Sequence, residues 1–207
     1  MLSSSSKQSD IIMMFMINVF SLNRAVKKEK TMDNIQTKRV LLRPFRLTDV
    51  KDVHAYSSDE DVTKYMLFGP NTLEETKSFL TFVVSYIHEQ PQRHFEYAIE
   101  LNQHVIGAVS LHLNESRDEA EIGWVLHKKY QRQGIMYEAA SALKHFAVNT
   151  FPLKRIIAHC DSRNVASYKL MEKLGMHYVS VEKGITIRKK QGTVIRDELL
   201  YALDLAK

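Results

Sequence analysis

The feature that most constrains the fold is a short polar joint between a strand pattern and a helix pattern. Residues 121–126 read EIGWVL, which is typical of a strand, and from Gly134 onward the chain reads as a helix. The joint itself, residues 131–134, is QRQG, with one cation and one glycine. A strand that passes through such a joint into a helix predicts a domain in which helices pack on a sheet.

The joint has a physical reading of its own. The first N–H groups of a helix are unpaired and carry a partial positive charge, so they suit phosphate. Gly134 lacks a Cβ and lets a ligand approach the backbone, while Arg132, Lys128 and Lys129 add positive charge. These residues predict a pyrophosphate cradle. The alternative is a solvated basic turn, and the joint alone does not decide between the two.

The rest of the chain predicts a single α/β (α+β) domain, with a mixed central sheet of about six to seven strands flanked by about four helices. No linker or internal repeat interrupts residues 32–207. Strands are expected at 38–43, 95–101, 105–113, 120–126, 155–160, 177–187 and 196–205. Longer helices are expected at 48–57, 72–88, 134–149 and 164–174, and a short one at 60–66.

Residues 1–31 differ from the rest of the chain. Their mostly apolar run, 11–20, is too short to span a bilayer, and no small-residue cleavage site follows it as in a signal peptide. Residues 28–32 read KEKTM, which a purine-rich bacterial ribosome-binding site before a start codon can encode. We therefore expect 1–31 to be a disordered leader or a mis-annotated start, with the domain covering 32–207.

Charge and cysteine content narrow the function classes. The net charge is +5, and residues 1–31 supply +3 of it through five basic and two acidic residues. The body is nearly balanced, so it offers no broad basic face for DNA. The chain has a single cysteine, Cys160, and its nine histidines are scattered, so we expect no disulfide and no metal site.

Several motifs, in order, resemble those of one family. Gln131-x-x-Gly134 at a helix start resembles the acetyl-coenzyme A signature of the GNAT superfamily of N-acetyltransferases. Asn164-x-x-Ser167, followed by Glu-Lys-Leu-Gly175, resembles the branch that includes the ribosomal-protein N-terminal acetyltransferases. Three further stretches are similar to the family: residues 39–45, RVLLRPF, residues 106–107, IG, and residues 121–126. The resemblance covers about residues 36–205.

The resemblance implies a binding site for acetyl-CoA and no metal. The pantetheine arm would pair with the strand before the joint, the amides of the joint would take the pyrophosphate, and Asn164 would hydrogen-bond the arm. The implied cofactor-binding residues are Trp124, Val125, Leu126, Gln131, Arg132, Gln133, Gly134, Ile135, Met136 and Asn164. Met136 stands where the family usually has Gly or Ala.

The resemblance also implies catalytic candidates. Many members of the superfamily have a tyrosine acid seven residues after the asparagine, and this chain has Met171 there. Ser167, one turn after Asn164, is the candidate acid; the alternative is a helix serine that bonds back to a carbonyl. Glu121, His159 and His112 are candidate bases, and for each the alternative is a structural or surface role.

The implied reaction is direct transfer of acetyl to an amine, and the protein N-terminal α-amine is the favoured acceptor. An α-amine, with a pKa near ~8, is easier to deprotonate than a lysine, near ~10.4. A small-molecule amine acceptor and an acyl-CoA-binding module without turnover are the alternatives. Residues 57–90 and a loop at 184–192 would select the acceptor. We expect a cytoplasmic monomer or homodimer with no membrane contact.

Overall fold

The computed structural model describes residues 32–189 and 192–205, so the predicted leader lies outside the described residues. The strands are β1 (Ile35–Gln36), β2 (Leu41–Pro44), β3 (His94–Leu101), β4 (His104–Leu113), β5 (Glu119–Leu126), β6 (Arg155–Asp161), β7 (His177–Lys189) and β8 (Gly192–Asp204). The α-helices are α1 (Val50–Ser57), α2 (Glu60–Thr63), α3 (Leu73–Ser85), α4 (Ile135–Thr150) and α5 (Val165–Lys173). Short 3-10 turns cover Leu47–Asp49, Tyr86–His88 and Lys128–Tyr130.

The strands form one mixed sheet in the order β1-β2-β3-β4-β5-β6-β8-β7. The α/β class is confirmed, although the eight strands exceed the six to seven predicted, because the two-residue β1 adds to the sheet. Among the described strands only β5 and β6 pair in parallel, joined by the crossover helix α4. After α5 the chain runs to the sheet edge as β7, then folds back between β6 and β7 as β8.

Helices cover both faces of the sheet, and alternate residues of each strand point to opposite faces. On one face Ile122 of β5 and Ile156 of β6 pack in a core with Leu143 of α4 and Met171 of α5. On the other face Ala98 and Ala108 pack with residues of α1 and α3. Successive residues of a strand therefore lie on different faces of the sheet, one packed against α4 and α5 and the other against α1 and α3.

Local signals account for most of the helix ends. Thr72 caps α3, and its hydroxyl and the Glu75 carboxylate satisfy each other's backbone N–H groups at 3.3 and 2.8 Å. The expected helix at 60–66 is shorter in the structure: α2 ends at Thr63, after Asp59 caps its start. Among the described residues, no helix combines the length and the apolar character that crossing a membrane needs.

The end of the domain differs from the prediction. The loop expected at 184–192 is a strand pair, in which β7 continues to Lys189 opposite Gly192. Gly184 has a φ of 69° at an irregularity in the register, so the glycine marks a bulge and not the end of a strand. Lys189 donates to the carbonyl of Thr63 at 2.9 Å, which ties this hairpin to the end of α2.

Candidate active site at the gap between β5 and β6

The site begins where two parallel strands separate. β5 and β6 pair only from Glu119 with Arg155 to Glu121 with Ile157. Beyond that point β5 runs on to Leu126 and β6 to Asp161, each still paired on its outer side, with β4 and with β8. The inner edges face a gap, so backbone groups of β5 are available to an extended ligand that takes the place of a strand.

A cavity of about 490 Å³ occupies this gap on the α4 and α5 side. That volume lies in the range of small-molecule sites. Of the ten predicted cofactor-binding residues, nine line it: Trp124, Val125, Leu126, Gln131, Arg132, Gly134, Ile135, Met136 and Asn164. The tenth, Gln133, points its side chain back to the carbonyl of Lys129 at 2.9 Å. The sequence motifs therefore converge on one cavity.

The joint folds as a tight turn that leaves the start of α4 uncovered. Gln131 ties the turn to β5 by donating to the carbonyl of Leu126 at 3.0 Å. Arg132 and Gly134 both have positive φ, 58° and 73°. Gly134 is the N-cap of the 16-residue helix α4 and has no side chain to cap its first amides. These amides and the helix dipole thus face the cavity with room for an anion.

One predicted charge is engaged elsewhere. Lys128, expected to add charge to the cradle, pairs with Asp59 at 2.7 Å and lies near Asp61. The sequence could not show this, because the acids come from α2, more than sixty residues away. Arg132 lines the cavity, and Lys173 lies there over the ring of Tyr137 at 4.5 Å.

Asn164 and Ser167 form the far wall of the cavity. The Asn164 side-chain oxygen caps α5 by accepting from the Ser167 N–H at 3.2 Å, which leaves the amide nitrogen as a donor. Ser167 is nine-tenths buried, and its hydroxyl makes no bond to a carbonyl of the described residues. It lies instead beside the Cys160 thiol, whose pKa burial raises to about 11. Cys160 is therefore a poor nucleophile, while Ser167 keeps a proton to donate.

The candidate bases meet on the opposite face of the sheet. Glu121 and His159 form a hydrogen bond of 3.0 Å at the point where the pairing of β5 with β6 ends. The hydrogen bond raises the pKa of His159 against the opposing effect of burial, and it lowers the pKa of Glu121. Both side chains are part-exposed, 33% and 48%. The structure brings together two residues that the sequence offered only as separate alternatives.

The third candidate lies in the adjacent position. His112 of β4 is the cross-strand neighbour of Glu121 and bonds to Glu96 at 2.7 Å. Burial opposes its charge, but the hydrogen bond to Glu96 and the nearby carboxylates leave the pKa of His112 raised. Two carboxylate–imidazole pairs thus lie side by side on the face that α1 and α3 share.

The geometry places a proton donor and proton acceptors on opposite sides of one gap. Ser167 and Cys160 lie on the α5 side, and Glu121 and His159 point to the other face by strand parity. An acyl group held in the gap would be open to attack from the α1 and α3 face. The described residues contain no group of three histidine, cysteine or acidic side chains arranged to hold a metal ion.

Comparison with known proteins decides the family. A model of the acetyltransferase (GNAT) domain matches residues 39–177, which is more than half of the chain. The chain belongs to the GNAT acetyltransferase family. It is accordingly an acyltransferase, and the eight-stranded sheet with its β5–β6 gap is a GNAT fold.

Relatives and solved structures agree with this assignment. The uncharacterized N-acetyltransferase YnaD of Bacillus subtilis is 34% identical over 143 residues, covering 69% of this chain and 82% of YnaD. A GNAT-family acetyltransferase from Bacillus anthracis is 32% identical with a TM-score of 0.70, covering 83% and 98% of the two chains. RimL, a ribosomal alpha-N-protein acetyltransferase in complex with coenzyme A, shares the fold at 18% identity, with a TM-score of 0.72 and coverage of 84% and 98%.

The GNAT site also contains residues that sequence reasoning missed. Asp61 and Val62 of α2, with Tyr65 and Met66 after it, complete the cavity wall from the N-terminal third of the domain. Tyr65 and Met66 lie in the segment 57–90 that the sequence assigned to acceptor selection, so what the sequence missed is that this segment reaches the joint. Arg39 of the 39–45 motif reaches the joint as well, and donates to the carbonyl of Gln133 at 2.9 Å.

Proposed function

We propose that this chain transfers acetyl from acetyl-CoA directly to a primary amine, and that a protein N-terminal α-amine is the acceptor class it fits best. The observation that carries the proposal is the gap between β5 and β6, which has the cavity lined by the joint on one face of the sheet and the Glu121–His159 pair on the other. No covalent acetyl-enzyme is needed, since the buried Cys160 keeps its proton.

The residues around the cavity suit acetyl-CoA. Gly134, which adopts the positive φ of the turn, and the uncapped amides of α4 after it provide a cradle for a pyrophosphate. The free inner edge of β5 after Glu121 can pair with the amides of the pantetheine arm. Asn164 adds a side-chain donor. When bound, acetyl-CoA supplies an activated thioester.

Ser167 and the Glu121–His159 pair divide the proton transfers. An incoming ammonium must lose a proton before its nitrogen can attack, and Glu121 or His159 takes that proton, directly or through one water. Backbone N–H groups of β5 near Val125 stabilise negative charge on the acetyl oxygen as the N–C bond forms. As the C–S bond breaks, Ser167 Oγ–H donates its proton to the sulfur, and the second proton that the acetylated nitrogen loses returns to Ser167 through water.

The exposed apolar stretch after α2 supports a peptide terminus as acceptor. Tyr65 and Met66 line the cavity, and the next residue, Leu67, is 62% exposed. An exposed apolar side chain beside a site is suited to contact a macromolecular partner. The carboxylate–imidazole pair also suits an α-amine, because the α-amine pKa near ~8 makes deprotonation less costly than for lysine.

The test is acetyl transfer from labelled acetyl-CoA to a bacterial lysate by the full chain, with Glu121→Gln as the catalytic control. We expect label in the macromolecular fraction, at protein N-termini when the labelled bands are analysed by mass spectrometry. Label in the small-molecule fraction would instead assign a small amine as acceptor. Binding of acetyl-CoA without enzyme-dependent label in either fraction would contradict the proposed reaction and favour a module that binds acyl-CoA without turnover.

A further inference from the structure

A three-part contact connects the start of the domain to the cofactor joint. Arg39, in the turn between β1 and β2, donates through its backbone N–H to Glu138 Oε1 at 2.7 Å and through Nε to Oε2 at 2.6 Å. Thr37 Oγ1 donates to the same carboxylate at 2.7 Å. The remaining Arg39 Nη1 donates to the carbonyl of Gln133 at 2.9 Å. One guanidinium therefore holds both the first turn of α4 and the joint before it.

The bond to Gln133 fixes the direction of one peptide group. In a trans peptide the C=O and the following N–H point in opposite directions. Because the Gln133 carbonyl points to Arg39, the N–H of Gly134 points away from it, and Gly134 forms part of the cavity wall, which Arg39 does not. Gln133 lies between two residues with positive φ, Arg132 and Gly134, and in Arg132, which has a Cβ, this conformation needs support from the surrounding structure.

Glu138 would otherwise oppose an anion at this place. It lies in the first turn of α4, beside the amides that face the cavity. Burial works against its charge, but the bonds from Thr37 and Arg39 keep the pKa of Glu138 lowered, so it is a carboxylate. The charge of Arg39 offsets that carboxylate, and the three bonds hold it on the outer side of the joint.

We propose that Arg39 is a positioning residue for the cofactor pyrophosphate, acting through the Gln133–Gly134 peptide and not by contact with the phosphates. This inference rests on the proposed acetyl-CoA site. It assigns a role to the first residue of the 39–45 motif, whose distance from the joint in sequence hides the connection.

The test compares Arg39→Gln with Lys154→Gln as a matched control. Lys154 also forms an exposed ion pair, with Asp118 at 2.7 Å, at a place away from the cavity. The full chain is titrated calorimetrically with CoA, and pantetheine, which lacks the pyrophosphate, is measured by competition with CoA. For Arg39→Gln we expect the Kd of CoA to rise about fivefold to tenfold and that of pantetheine by less than about twofold. Lys154→Gln should change neither.

A second variant separates positioning from folding. In Arg39→Lys the ammonium can still pair with Glu138, but it lacks the forked guanidinium that reaches both Glu138 and the Gln133 carbonyl. This variant should therefore keep the thermal stability of the wild type and bind CoA as weakly as Arg39→Gln. Hydrogen exchange at the Glu138 amide, which donates to the Gly134 carbonyl at 3.1 Å, should be faster in both variants. An equal loss for CoA and pantetheine, or full CoA affinity in Arg39→Lys, would overturn the inference. If the wild-type chain fails to bind CoA, the proposed function itself is overturned. The results for the variants test only the role of Arg39.

Discussion

The two sides of the β5–β6 gap are built in different ways. The cofactor side comes mainly from one continuous stretch, β5, the joint and α4, supplemented by Asn164 and Ser167 at the start of α5. The proposed acceptor side is assembled from residues on different strands: Glu121 with His159, and Glu96 with His112. The first side relies on backbone amides and the second on side-chain pairs.

This difference explains why the two sides respond to different changes. Backbone amides are positioned by φ and ψ, so the cofactor side depends on the residues that allow its turn, Gly134 above all. The carboxylate–imidazole pairs depend on the identity of their functional groups. A substitution on one side should therefore leave the other side's property intact, and the predictions below test that separation.

The largest effect is expected on the acceptor side. Glu121→Gln removes a proton acceptor and the charge partner of His159, so kcat should fall on the order of 10²-fold with the Kd of CoA unchanged. Steady-state kinetics and calorimetry on the same preparation measure both. Glu119→Gln is the matched control, two residues earlier on the same face of β5, and should keep kcat. A rise in the CoA Kd in Glu121→Gln would break the separation of the two sides.

Ser167→Ala tests the proposed proton donor, which lies on the cofactor side of the gap but is expected to act in the acetyl-transfer step. Loss of a proton donor to the leaving sulfur should lower kcat by about tenfold or more while CoA still binds. A thioester whose leaving thiol is more acidic needs less protonation of its sulfur. With such a substrate, the difference in kcat between Ser167→Ala and the wild type should become smaller. Ser162→Ala, just before α5 and outside the cavity wall, is the control. An unchanged kcat in Ser167→Ala would give Ser167 a structural role only.

Gly134→Ala should weaken the cofactor side alone. A Cβ there would meet only Arg39 Nη2, at 3.6 Å, so the cost comes from the positive φ of 73° and not from a clash. At about 1–2 kcal/mol, that strain predicts a Kd for CoA raised by about fivefold to thirtyfold. Gly184→Ala is the control: Gly184 also has a positive φ, a Cβ there would have no heavy atom within 4 Å, and the position lies away from the cavity. It should lower stability without changing the Kd, and equal loss of CoA affinity in both variants would contradict a backbone-built cradle.

The smallest effect concerns pH. The pKa of His159 is raised in the folded chain, so its contribution is present below the unfolded pKa of about 6.5 and is lost as pH rises through the folded value. The pKa of Glu121 is lowered, so its contribution is lost as pH falls through its own folded value. Because both groups are part-exposed, the pair should contribute less than about 1 kcal/mol. Denaturant unfolding of wild type and His159→Gln should differ most near pH 5.5 to 6 and least above pH 8; a constant difference would argue against the ion pair.

Local patterns in the sequence predicted most of the fold. The predicted helix start at 72, the strand break after 101 and the helix end at 174 depend on near neighbours, and the structure has the Thr72–Glu75 capping pair, the Asn102–Gln103 turn and Gly175 at these places. The continuation of β7 to Lys189 and the start of β8 at Gly192 were missed, because the glycines at 184 and 192 have the same local signature in a bulged hairpin as in a loop.

In the candidate site, too, the features set by neighbouring residues were predicted and those set by contacts between distant elements were not. The joint and the Asn164–Ser167 turn were visible because each is contiguous and family-like. The Glu121–His159 bond depends on the register of β5 against β6, which no local pattern sets, so the sequence offered two separate bases. The pairing of Lys128 with Asp59 and the reach of Arg39 to Gln133 likewise depend on contacts between distant elements.

Hydrogen exchange of the full chain with and without acetyl-CoA tests the central claim most directly, namely that the donor binds on the α4 and α5 side of the gap and leaves the acceptor face open. The account predicts protection at residues 122–126, at the joint 131–136 and around Asn164 and Ser167, with β3 and β4 around Glu96 and His112 unchanged. Protection centred on Glu96 and His112, with the joint unaffected, would contradict it.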